Sequence, residues 1–86
     1  MPKKLQEKEF YRSSDIALIA AIICSEGYQI ESIDRKNPAK LVFSIKKDAG
    51  LENLIKDYFS HQLKVDALSY FNSLKEIKVQ IYNTPN

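Results

Sequence analysis

The chain holds one cysteine, one histidine, two glycines and no tryptophan in 86 residues. Each scarcity excludes something. A lone Cys24 forbids an intramolecular disulfide. It lies in the apolar run Ile16–Cys24, where a small buried thiol is expected. That usage suits a reducing compartment, so a cytoplasmic location is expected. Cys24 and His61 cannot supply a four-ligand zinc set. As a nucleophile pair they would need the thiol outside its apolar surroundings. Gly27 and Gly50 are too few for a glycine-rich phosphate loop. Asp57 with Glu52 or Asp66 fits no calcium-loop spacing. No catalytic residue, metal or cofactor is expected, and no enzyme activity.

Long hydrophobic runs are missing too. Ile16–Cys24 is nine residues, and a bilayer span needs about 20. Leu5–Glu9 is too polar for the apolar segment of a signal peptide. No membrane partner is expected. Charge of one sign is also modest, at a formal net +2. That permits contact with nucleic acid without demanding it.

What is present suits one small globular unit. Apolar residues make up 44% and charged residues 28%, ordinary proportions for a folded domain. The expected organisation is a flexible N-terminal arm over 1–8, a single domain over 9–83 and a frayed end over 84–86.

Hydrophobic spacing predicts the elements. Glu9–Arg12, with its aromatic pair, reads as a short strand. Ser13 or Ser14 is placed to cap a first helix, with Asp15 in its first turn. Ile16, Ile19, Ala20 and Ile23 repeat at helical spacing, and Leu18 and Ile22 widen the stripe. Gly27 is placed to end that helix in the left-handed conformation, with Tyr28 folding back on Ile23. A hairpin follows. Tyr28, Ile30 and Ser32 share one face and Gln29, Glu31 and Ile33 the other, ahead of a turn at Arg35–Ala39. Leu41, Phe43 and Ile45 alternate with Val42, Ser44 and Lys46.

Asp48 is the expected cap of a second helix with the stripe Leu51, Leu54, Ile55 and Tyr58, ending near Ser60–Gln62. Asp66 caps a third, with Val65 and Tyr70 spaced as a hydrophobic staple. Ala67, Tyr70, Leu74, Ile77 and Ile81 form a stripe along it. A second row, Leu68, Phe71, Val79 and Tyr82, is also apolar, so this helix is expected to meet two surfaces, one of them a partner's. The order (β)-α-β-β-α-α predicts an α+β fold. Its sheet is small and antiparallel, with two or three strands packed against three helices.

Two binding signals stand out. Basic residues gather at the hairpin, as Arg35, Lys36, Lys40, Lys46 and Lys47, and in the arm, as Lys3, Lys4, Lys8 and Arg12. Lys56, Lys64, Lys75 and Lys78 lie near Tyr58, Phe59, Tyr70 and Tyr82. Lysines neutralise phosphates and exposed rings stack on bases, so DNA or RNA is one expected partner. Asp34, Asp48, Glu52 and Glu76 interleave with these positions, and an ordinary mixed surface accounts for any single one. The outer apolar row is the second signal. It predicts a protein partner, whether a homodimer, a complex subunit or a target that the chain inhibits.

From Phe10 to Asn83 the order of features resembles a known family. An aromatic pair runs into Ser13-Ser14-Asp15 and an alanine-rich apolar helix. A basic turn and Leu41-Val42-Phe43 follow. Then come Tyr58-Phe59, Lys64-Val65-Asp66-Ala67, Phe71, Leu74-Lys75 and Lys78. This resembles a family of small bacterial and phage proteins catalogued only as a domain of unknown function. The resemblance implies a stand-alone intracellular protein associated with mobile elements, and no particular activity. It singles out Asp15, Tyr58, Lys64 and Lys75. Three of them also have a plain structural reading: Asp15 as a helix-start charge, Lys64 capping helix carbonyls, Tyr58 in the core.

Overall fold

The computed structural model describes residues 9–25 and 27–83. The expected arm over 1–8 and frayed end over 84–86 lie outside them. The elements are β1 (Phe10–Ser13), α1 (Ile16–Ile23), β2 (Ile30–Asp34), β3 (Val42–Lys46), α2 (Ala49–Phe59) and α3 (Ala67–Asn83). The fold is α+β in the expected order. One antiparallel sheet of order β1-β3-β2 lies against the three helices.

Helix α1 is the centre of the core. Leu18, Ile19, Ala20, Ala21 and Ile22 are all buried. So nearly every side of this short helix is covered, by the sheet and by both later helices. Fully burying each of Leu18, Ile19 and Ile22 stabilises by roughly 1.5–3 kcal/mol. Ile16, expected in the buried stripe, is 39% exposed. Its position in the first turn leaves it beyond the covering helices. The cap is Asp15 itself, whose Oδ1 accepts from Leu18 N at 3.2 Å. Ser13 is in β1 instead, and its hydroxyl accepts from Asp15 N. The helix stops at Cys24, before Gly27, although Gly27 does take φ +94°. Cys24 is half-buried and not in the deep core. Its Sγ donates to Ala21 O at 3.3 Å, and burial pushes the thiol pKa up.

The hairpin departs from simple alternation. Ile30 pairs with Ile45 and Ile33 with Phe43, with a register shift between Ile30 and Ser32. This bulge puts Ile30 and Ile33 on the same face, against the buried Phe43 and Ile45. Strict alternation would have separated them. Tyr28 packs against the core. Its hydroxyl donates to Asp48 Oδ1 at 2.7 Å, tying the chain after α1 to the start of α2. Asn37 organises the turn, accepting from Ala39 N through its side chain and from Lys40 N through its carbonyl.

Asp48 caps α2 by accepting from Gly50 N and Leu51 N. The stripe Leu51, Leu54, Ile55 and Tyr58 packs inward as expected. The helix closes with Gln62 N donating to Asp57 O and His61 N to Tyr58 O, with His61 at φ 64°. That is a Schellman closure in which His61 holds the left-handed position usually given to glycine.

Candidate functional site

The longest helix carries the most unusual surface. Asp66 starts α3 by accepting from Ser69 N at 2.9 Å and Ser69 Oγ at 3.0 Å. These bonds hold its carboxyl below the ordinary value. Tyr70, Leu74, Ile77 and Ile81 pack inward, and Ile77 is fully buried. Tyr70 adds a hydrogen bond from its hydroxyl to Ala17 O in α1. Ala67, expected in this stripe, is exposed because it precedes the first full turn against α1.

The second row faces solvent. Val79 is 54% exposed, Phe71 56%, Leu68 67% and Tyr82 80%. At about 100° per residue, the four fall within a sector of roughly 80° centred opposite Ile77. Lys75 lies inside the same sector, with its Nζ 5.3 Å from the centroid of the Phe71 ring. This cation–π contact lays the lysine along the row. Lys78 is exposed at the border of the sector.

The basic residues of the hairpin do not form one patch. Arg35 is half-buried. Its Nη1 donates to Ile81 O at 3.2 Å and its Nη2 to Gln80 O at 3.1 Å. The guanidinium thereby satisfies carbonyls near the C-terminus of α3, where positive charge is favoured. Arg12 reaches across the outer face of the sheet to Asp34, 3.2 Å away. Asp34 is held below its ordinary pKa, first by the Lys36 backbone N–H and also by Arg12. Lys36 and Lys40 are exposed at the turn, whereas Lys46 and Lys47 are exposed at the far end of β3. The length of β3, five residues or about 16 Å of extended chain, lies between the two pairs. Lys64 is exposed in the connection before α3, away from the hairpin in sequence.

Of the positions singled out by resemblance, Asp15 caps α1 and Tyr58 packs against the core. Burial, with Asp15 nearby, raises the Tyr58 pKa. Tyr58 also lines a hollow of about 330 Å³ with Val65 and Tyr70, between α1, α2 and the lead into α3. Among the described residues no three of His, Cys, Asp or Glu come together as a metal site. No described helix is long and apolar enough to cross a membrane.

Phe59 belongs to the group of rings expected beside the helix lysines, three residues after Lys56. Phe59 is 60% exposed and stands edge-on to Tyr58, with ring centroids 5.1 Å apart. Its place in the last turn of α2, one residue past the inner stripe, accounts for that exposure.

No curated protein matches the chain, and no solved structure does. A family model does match, over residues 8–83, and it spans β1 through α3. The chain therefore belongs to the family described as Domain of unknown function (DUF5659).

Proposed function

We propose that this domain is a non-enzymatic binding module that engages another polypeptide through the outer face of α3. One observation carries the reading. Leu68, Phe71, Val79 and Tyr82 keep more than half of their surface in solvent on one side of a helix whose other side closes the core. Scattered exposed apolar residues are ordinary, but an aligned row on one face marks a contact surface. Leu68 and Val79 offer neither charge for a phosphate nor a ring for a base, which favours a protein over a nucleic acid.

The exposed pair Lys36 and Lys40 at the hairpin turn supports a second reading, a nucleic-acid-binding accessory protein. It is the weaker one, because Arg12 and Arg35 are already engaged within the fold.

Photo-crosslinking in the producing cells separates the two. Benzoylphenylalanine replaces Phe71 in one variant and Lys36 in another. The polypeptide reading expects protein adducts from position 71 and none from position 36. Nuclease-sensitive adducts from position 36 alone would replace it with the nucleic-acid reading.

A further inference from the structure

The apolar row on α3 has a charge at its middle. Lys75 stands seven residues after Leu68 and seven before Tyr82. Its ammonium is held over Phe71 instead of extending away from the row. Lys78 adds a second exposed ammonium at the border. No carboxylate lies within the sector. Glu76 projects about 100° away from Lys75 around the helix. The surface is therefore apolar at both ends and cationic at the centre.

That pattern selects among occupants. Two copies of this chain, paired by α3 so that the whole row overlaps, bring Lys75 onto Lys75 in the parallel and in the antiparallel arrangement alike. Like charges facing each other across a dry contact oppose association. An opposite charge at that point favours it and fixes the register. The row from Leu68 to Tyr82 is about 21 Å long at 1.5 Å per residue, a length matched by four turns of a helix. Resting on the polypeptide-contact reading above, we propose that the occupant is an amphipathic helix of another protein. It has apolar residues at both ends of its contact stripe and a carboxylate at its midpoint. Its apolar side chains pack on Leu68, Phe71, Val79 and Tyr82, and its carboxylate meets Lys75.

The test uses the full chain, isotopically labelled, and two helix-stabilised peptides of about 18 residues. The peptides share one apolar stripe and differ only at the central position, Glu or Lys. The expected result is that the Glu peptide binds on the order of tenfold more tightly and shifts the amide signals of α3. Lys75→Glu, an exposed change that leaves the fold intact, inverts the preference. Equal binding of both peptides on α3 would overturn the carboxylate assignment while leaving a polypeptide contact standing. If neither peptide shifts α3, the assignment and the reading beneath it both fall, whether or not vesicles of anionic phospholipid shift the same amides. A dimer that buries Lys75 also overturns the assignment.

Discussion

Ile77 and Val79 stand two residues apart on α3, yet one is fully buried and the other 54% exposed. The inner side meets α1 and is fixed at several points: by Ile77, by the Tyr70 bond to Ala17, and by Arg35 on the Gln80 and Ile81 carbonyls. The outer side has side chains as large and as apolar, but no part of the described fold covers them. Hydrophobicity alone therefore does not mark the core. Position around the helix decides it. The same residue types support folding on one side and stay in solvent on the other.

The largest expected effect is the difference between the two sides. Ile77→Ala opens a cavity in the fully buried core and costs about 2–5 kcal/mol. A domain of this size has roughly 5–10 kcal/mol to lose. Val79→Ala stays within about 0.5 kcal/mol, because a solvated side chain leaves no cavity and alanine favours helix. Urea unfolding of both variants gives the comparison directly. Equal losses would mean that the outer side is packed after all.

A smaller contrast lies in the hairpin. Arg35→Gln removes charge-assisted hydrogen bonds to two α3 carbonyls and costs about 1–2 kcal/mol. Lys36→Gln, at the next position but exposed, stays within about 0.5 kcal/mol. Equal denaturation midpoints for the two would show that Arg35 is not a strut between the hairpin and α3.

Acid sharpens the picture further. Asp34, Asp48 and Asp66 all have carboxyl pKa values below the ordinary 3.8. The leading cause is the Lys36 backbone N–H for Asp34, the Tyr28 hydroxyl for Asp48 and the Ser69 backbone N–H for Asp66. The unfolded chain thus binds protons more readily. The stability these groups contribute is fully present above the unfolded value and is lost as pH falls through the lower folded values. Thermal melts from about pH 6 to about pH 2.5 should show the decline beginning near pH 4. Asp66→Asn keeps a capping side chain but removes its titration, so its decline should be shallower. An unchanged slope would remove Asp66 from the account.

Much of this was legible in the sequence because it is local. The stripe Leu51–Tyr58 and the caps Asp48 and Asp66 depend on residues one to four positions apart, and the structure has them as spacing predicts. Gly27 likewise takes the positive φ expected of it. The departures come from partners distant in the chain. The bulge that turns Ile30 and Ile33 to one face exists only in the pairing with β3. Arg35 looks like a solvated turn residue until α3, 45 residues later, brings its acceptors. Asp15 rather than a serine caps α1 because β1 extends through Ser13 to pair with Phe43. The outer row of α3 was visible as a second apolar stripe. Its exposure depended on which side α1 would cover, and no local spacing records that.

The most direct measurement is the stability of a chain whose outer row is made polar without weakening the helix. Leu68, Phe71, Val79 and Tyr82 are all replaced by glutamine, a polar residue with good helix propensity. Urea unfolding should then give a stability within about 1 kcal/mol of the parent, as for surface changes that touch no packed contact. A loss beyond about 3 kcal/mol would contradict the account, placing the outer row among the residues that hold the fold together.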